Sequence, residues 1–130
     1  MPRTPVPPEI EAFLREPNPA VVATIRADGS PHSVATWYDW VDGEILLNMD
    51  ATRARLGQLR RDPRVSLTVL DKDSWYSHVS LTGVVDRLVD DPDLADIDRL
   101  ALRYYGHPYR NRTAKRVSAW VRPERWHRWD

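Results

Sequence analysis

The sequence predicts a mainly β (β+α) protein, a small barrel of six strands with short helices at its ends. Apolar or alternating runs of strand length recur along the chain, and turn sequences such as Ala27–Ser30 and Asp42-Gly43 separate them. Helical spacing is confined to three stretches, one near the N-terminus, one after the third strand and one before the sixth. Hairpin-linked strands with few helices favour a barrel whose mouths the helices cover.

The composition describes a soluble globular protein of one-domain length. The 130 residues carry 19 basic and 19 acidic side chains, so no net charge draws the protein onto nucleic acid or an anionic membrane. Cysteine is absent, which excludes disulfides and thiolate catalysis. The chain has neither a signal-peptide core nor a run near the ~20 apolar residues of a membrane span. We therefore expect a cytoplasmic protein.

Apolar periodicity and breakers place the elements. We expect a proline-rich lead, extended or disordered, over residues 1–8 and a single domain over residues 9–130. A helix is predicted over Glu9–Arg15, where apolar residues recur at helical spacing before Pro17. Another is predicted from the acidic cap at Asp90–Asp93 to Gly106. The strands are predicted at Ala20–Ile25, Pro31–Trp40, Glu44–Met49, Val65–Leu70, Trp75–Leu88 and Arg116–Val121.

Two predicted strands carry unusual residues. The second strand has Tyr38 and Trp40 on one face and Trp37 on the other, so one face must meet a ligand or a second subunit as well as the core. The fifth strand contains Gly83, which indicates a bulge or a close approach of another backbone.

The segment that joins the third strand to the second helix suggests chemistry. Thr52 is a suitable N-cap and Pro63 must end the helix, so Arg53 and Arg55 fall beside the free N–H groups of the first turn. Guanidinium groups next to a helix N-terminus are suited to a phosphate. The alternative is a solvated helix that carries ordinary surface arginines.

Other candidate chemistry is weaker. The four histidines form no pair at i, i+4 and no carboxylate pattern with metal-ligand spacing, so no metal is predicted. His32 is a structural hydrogen-bonding residue or a ligand contact, and its sequence context does not decide between them. No serine stands in the Gly-x-Ser-x-Gly setting of a hydrolase nucleophile.

The motifs together resemble a known family. An Ala-Asp-Gly-Ser-Pro turn, an Asn-Met strand end, a Thr-Arg-x-Arg helix start and an Arg-Asp-Pro-Arg-Val-Ser-Leu strand follow one another, and Trp-Tyr precedes a glycine seven residues later. This order resembles the pyridoxamine 5′-phosphate oxidase-like superfamily of FMN-binding split β-barrels. It is most similar to the actinobacterial branch of flavin/deazaflavin oxidoreductases that use coenzyme F420.

The resemblance implies a homodimer with cofactor sites in grooves at the subunit interface. It places the cofactor phosphate at Arg53 and Arg55, and the substrate pocket at Trp37 and Tyr104. It assigns no catalytic residue. The remaining cofactor contacts that it implies are His32, Ser33, Val34, Asn48 and Met49 around the ring, with Trp75, Tyr76 and His78 contributed by the partner subunit.

The implied activity is hydride transfer from reduced F420 to an unsaturated or heteroaromatic small molecule. The FMN-dependent oxidases usually carry Arg-Lys side by side, whereas Ala54 separates two arginines here, which favours F420 over FMN. Two alternatives stay open: an FMN-binding oxidoreductase of the same superfamily, and a non-catalytic carrier of F420 or flavin.

Overall fold

A computed structural model covers Met1–Asp130 and contains seven strands and three helices. The helices are α1 (Pro8–Arg15), α2 (Ala54–Arg61) and α3 (Ala95–Tyr105). The strands are β1 (Ala20–Ile25), β2 (Pro31–Thr36), β3 (Asp39–Val41), β4 (Glu44–Asp50), β5 (Arg64–Leu70), β6 (His78–Asp90) and β7 (Arg116–Trp129).

All seven strands form one antiparallel sheet in the order β2-β1-β5-β6-β7-β4-β3. The mainly β prediction is therefore confirmed, but the number of strands was predicted one too low. The two edge strands, β2 and β3, follow each other along the chain yet do not pair, so hydrogen bonds do not close the sheet into a barrel.

The extra strand arises because the predicted second strand breaks at Trp37 and Tyr38. Before the break the chain pairs with β1, and after it the chain pairs with β4 at the opposite edge. The Tyr38 ring is fully buried, and its hydroxyl donates to the carbonyls of Leu14 and Glu16 at 2.8 and 3.1 Å. These bonds hold the crossing segment against the end of α1.

The long pair β6 and β7 corrects two further boundaries. β6 begins at His78 rather than Trp75, and β7 continues past the predicted end at Val121 to Trp129. The predicted irregularity at Gly83 is confirmed, because the register shifts there and a Cβ would lie 2.2 Å from the carbonyl oxygen of Arg122. Only a residue without a side chain fits this approach.

The N-terminal lead is hydrogen-bonded to β7. β4 pairs with β7 only as far as Val121, so the backbone groups beyond that point are free to bind another segment. The N–H of Thr4 donates to the carbonyl of Glu124, and the N–H of Trp126 donates to the carbonyl of Pro2. Both hydrogen bonds have a length of 3.0 Å.

The main core joins the sheet to α1 and α2, which contribute Ile10, Phe13 and Leu14, and Leu56 and Leu59. A smaller cluster of Leu94, Ile97 and Leu100 holds the start of α3 beside Trp37 and Tyr109. This small cluster therefore places α3 next to the aromatic residues of the candidate functional site described below. The helices are all too short or too polar to cross a membrane.

Candidate functional site

The turn between β4 and α2 is organised by the Asp50 carboxylate. Oδ1 of Asp50 accepts the backbone N–H of Thr52 at 2.8 Å and the Thr52 hydroxyl at 2.7 Å, and these bonds hold the pKa of Asp50 below its usual range. Thr52 is not the N-cap, contrary to prediction, because it lies one residue before that position. The helix begins at Ala54, with Arg53 as N-cap and no side-chain capping bond.

Arg55 carries an unpartnered polar atom in this turn. Its Nε is buried and has no hydrogen-bond partner in the protein. Burial, with Arg53 and Arg116 nearby, lowers the pKa of Arg55. A buried donor on a charged group normally has an acceptor. The position therefore suits an anion that is not part of this chain.

A cavity of about 600 Å³ lies in front of these arginines and is called the cationic groove below. Its charged side chains are Arg53, Arg55, Arg116 and Asp50, so positive charge dominates. Such a concentration of guanidinium groups favours a ligand with phosphate or carboxylate oxygens. The remaining lining residues are His32, Val34, Ala35, Asn48, Met49, Ala54, Tyr109 and Asn111.

Arg116 is a groove residue that the sequence analysis placed only in a strand. Its Nε donates to Asn48 Oδ1 at 2.7 Å, and its guanidinium carbon lies 4.8 Å from the centre of the Tyr109 ring. Pairing of Asp50 with Arg116 across β4 and β7 brings it to the turn between β4 and α2, called the elbow below. Only this long-range register could have identified it, and no local motif encodes it.

A second cavity of about 510 Å³ adjoins the groove and is called the aromatic pocket below. Trp37 and Tyr104 stack in its wall with ring centres 5.6 Å apart, so the structure brings together the two residues predicted for substrate. The Tyr104 hydroxyl donates to the Asn18 carbonyl at 2.7 Å, and burial raises the pKa of Tyr104. Lining residues shared with the groove are Ala35, Asn48, Tyr109 and Arg116.

The five predicted ring contacts separate into two groups. His32, Val34, Asn48 and Met49 line the groove, whereas Ser33 does not. Met49 as a whole residue is only 1% exposed and belongs to the core, so it offers a ligand little surface.

The Asn48 amide is fully used within the protein. Nδ2 donates to Asp91 Oδ2 at 3.1 Å and to Ser118 Oγ at 3.0 Å, while Oδ1 accepts from Arg116. Asp91 in turn accepts the backbone N–H groups of Asp96 and Ile97 at the start of α3. Asn48 therefore shapes the groove and positions Arg116.

The residues predicted to act from a partner subunit lie outside the groove of their own chain. Trp75 and Tyr76 are in the turn between β5 and β6, where their side chains are 73% and 57% exposed. His78 Nδ1 donates to the Tyr76 carbonyl at 2.9 Å. None of the three lines the cationic groove or the aromatic pocket. No cluster of three or more side chains that could hold a metal ion occurs in the chain.

The chain is thus an open antiparallel sheet with an arginine-rich groove where β4 leads into α2. The chain belongs to the pyridoxamine 5′-phosphate oxidase family, whose model matches residues 6–130. No curated protein matches it.

Solved structures of other proteins have similar folds. An F420 reductase is 30% identical with a TM-score of 0.85, over 94% of this chain and 98% of that chain. A conserved hypothetical protein from Mycobacterium tuberculosis is 32% identical with a TM-score of 0.77, over 98% of this chain and 86% of that chain. The general stress protein 26 from Bacillus anthracis is 17% identical with a TM-score of 0.70, over 94% and 92%, and shares the fold.

Proposed function

We propose that this protein is an oxidoreductase that uses reduced coenzyme F420 to transfer hydride to an unsaturated or heteroaromatic small molecule. Family membership and the 30% identity to an F420 reductase over 94% of the chain support a flavin-type cofactor. The observation that carries the proposal is the buried, unpartnered Nε of Arg55 at the wall of the cationic groove.

The groove residues fit an anionic cofactor. Arg53 and Arg55 would bind the phosphate, because they combine positive charge with donors that have no partner of their own. Arg116 would face another electron-rich part of the same molecule, since Asn48 and Tyr109 hold its guanidinium at the opposite side of the elbow. F420, when bound, supplies a hydride carrier that does not readily pass single electrons to oxygen.

The aromatic pocket would bind and orient the substrate. Trp37 and Tyr109 offer flat apolar surface and exclude water, which suits a planar unsaturated molecule beside the cofactor. The Tyr104 hydroxyl already donates its hydrogen to the Asn18 carbonyl, which argues against Tyr104 as the proton donor. We therefore assign the proton to water and name no catalytic residue.

We also propose that two copies assemble so that the turn bearing Trp75 and Tyr76 completes the partner's cofactor site. Both rings are mostly exposed and adjacent, with centres 6.2 Å apart, which is typical of residues that become buried in an interface. Trp75→Ala combined with Tyr76→Ala should give a monomer in analytical ultracentrifugation. Trp129→Ala, at a residue that is 48% exposed, is the control. A dimer that persists in the double variant would contradict the assembly.

A paired titration tests the cofactor. The purified protein is titrated with F420 and, separately, with FMN, and the fluorescence of each cofactor is followed. Tight F420 binding with weak FMN binding is expected. Arg53→Ala combined with Arg55→Ala should weaken F420 binding by several kcal/mol, at about 1.5–3 kcal/mol for each hydrogen bond to a charged group.

The matched control is Arg60→Ala combined with Arg61→Ala, which removes two exposed arginines from the last turn of the same helix. Equal affinity in the two double variants would contradict the phosphate assignment. Preference for FMN would make the protein an FMN-binding oxidoreductase. Bound F420 without turnover of enones or nitroaromatics would favour the carrier.

A further inference from the structure

A short hydrogen-bond network of polar side chains lies beneath the cationic groove. It links Thr24 of β1, Gln58 of α2 and His32 of β2, and the first two are almost completely buried. The Thr24 hydroxyl donates to Gln58 Oε1 at 2.5 Å. The Gln58 amide lies against His32, whose Nδ1 is 3.2 Å from Gln58 Nε2 and 3.3 Å from Gln58 Oε1. A buried glutamine on a short helix normally has a specific polar role.

The donor and acceptor roles in this network follow from the Thr24 hydroxyl. The buried Thr24 hydroxyl makes no other hydrogen bond from its side chain, so its single hydrogen is donated to Gln58 Oε1 and orients the amide. Gln58 Nε2 then faces His32 Nδ1, which is its only hydrogen-bond partner in the protein. Because Oε1 already accepts from Thr24 and a buried amide N–H requires an acceptor, this arrangement needs an Nδ1 without a hydrogen. An imidazole with a single hydrogen then carries it on Nε2.

The other side of the His32 ring is free for a ligand. His32 lines the cationic groove, and its Nε2 has no hydrogen-bond partner in the protein. We propose that Gln58 is a positioning residue, which holds His32 as the Nε2–H tautomer so that the imidazole donates to an oxygen of the group bound in the groove. The ligand side of this inference rests on the proposed function, whereas the tautomer does not.

Cofactor affinity alone does not test the inference, because Gln58 also supports the arginine elbow. It lies one turn after Arg55 on α2, and its contacts with Thr24 and His32 tie that helix to β1 and β2. A variant that merely loosened α2 would also weaken cofactor binding. The deciding measurement is therefore the position of the hydrogen on His32.

Nitrogen-15 NMR of the histidine rings in the unliganded full chain measures that position. The His32 signal is assigned by its loss in His32→Ala. We expect the Nε2–H tautomer in the wild type. Gln58→Glu should move the hydrogen to Nδ1, because a carboxylate accepts hydrogen bonds and has no N–H to donate. Gln58→Leu, which keeps the size of the side chain, should leave a mixture of the two tautomers.

A wild-type ring with hydrogen on Nδ1 and none on Nε2 would overturn the inference, as would a tautomer that Gln58→Glu leaves unchanged. A backbone NMR spectrum establishes that each variant is folded. If Gln58→Leu does not fold, Thr24→Val serves instead, because it frees the amide of Gln58 to turn while keeping the shape of the buried side chain.

Titration with F420 and FMN then tests the donor. His32→Ala and Gln58→Leu should each weaken binding about fivefold to tenfold, the usual contribution of one hydrogen bond. The two changes together should cost little more than one, as expected for residues that act through each other. Additive losses would overturn the positioning role. Failure of the wild type to bind either cofactor would reject the proposed function while the NMR result stands.

Discussion

The Nε of Arg116 donates to Asn48 Oδ1 at 2.7 Å, and this bond places a guanidinium where the cationic groove meets the aromatic pocket. The same asparagine donates to Asp91, whose carboxylate binds the first turn of α3. A single buried amide therefore connects the elbow, the last strand and the helix over the pocket. Its position is a consequence of the pairing of β4 with β7.

Removal of the Asn48 amide should destabilise the protein. In Asn48→Ala, Asp91 and Ser118 lose a buried donor and Arg116 loses its acceptor, so we expect about 1–3 kcal/mol less free energy of unfolding. Urea denaturation measures the change. Asp86→Ala is the control, because that residue is exposed and its side chain makes no hydrogen bond or ion pair. Equal midpoints for the two variants would show that the network contributes little.

Arg55→Met should have opposite effects on stability and on cofactor binding. Burial lowers the pKa of Arg55, so the folded chain disfavours its charge, and an apolar side chain of similar length removes that cost. We expect a gain of about 0.5–2 kcal/mol in the free energy of unfolding, together with weaker F420 binding. Arg60→Met, on the exposed face of α2, should change neither. A less stable Arg55→Met would contradict this account.

Stability should fall at alkaline pH through Tyr38. Burial raises the pKa of its hydroxyl in the folded chain, whereas the unfolded value is about 10. Below that pH both states keep the proton and the stabilisation is complete. Above it the unfolded chain ionises first, so the free energy of unfolding decreases.

Tyr38→Phe separates this effect from the rest of the chain. The variant loses the bonds to the Leu14 and Glu16 carbonyls, so it should be less stable than the wild type at pH 8. The difference in free energy of unfolding between the two proteins should narrow by pH 11. Only the wild type is destabilised there, because only its unfolded chain ionises Tyr38. The ionisation of Tyr104 affects both proteins equally, so it does not contribute to the difference between them. Urea denaturation at the two pH values measures the difference, and a constant gap would refute the prediction.

Two glycines should respond oppositely to alanine. At Gly83 a Cβ would lie 2.2 Å from the carbonyl oxygen of Arg122 and 2.8 Å from Cα of Pro123, so Gly83→Ala should cost about 1–3 kcal/mol or more. Gly57 is in α2 with nothing within 4 Å of the added carbon, so Gly57→Ala should stabilise by about 0.5–1 kcal/mol. Thermal unfolding of both variants compares them directly.

Local pattern predicted the elements and their buried faces with few errors. The alternation of His78, Ser80 and Thr82 with Val79 and Leu81 matches the burial of β6, because strand geometry turns successive side chains to opposite faces. Arg53 and Arg55 were predicted to meet at the elbow for a comparable reason, since two residues at the start of one helix stay close whatever the rest of the chain does.

The sequence by itself determined which segments are strands, which faces they bury and where two arginines meet a helix start, because each of these depends on residues a few positions apart. Only the tertiary structure decided that the second strand divides between opposite edges of the sheet, that Arg116 joins the groove and that Gln58 reaches His32. Strand order and register depend on contacts between distant residues, and no local periodicity records which partner a strand will choose.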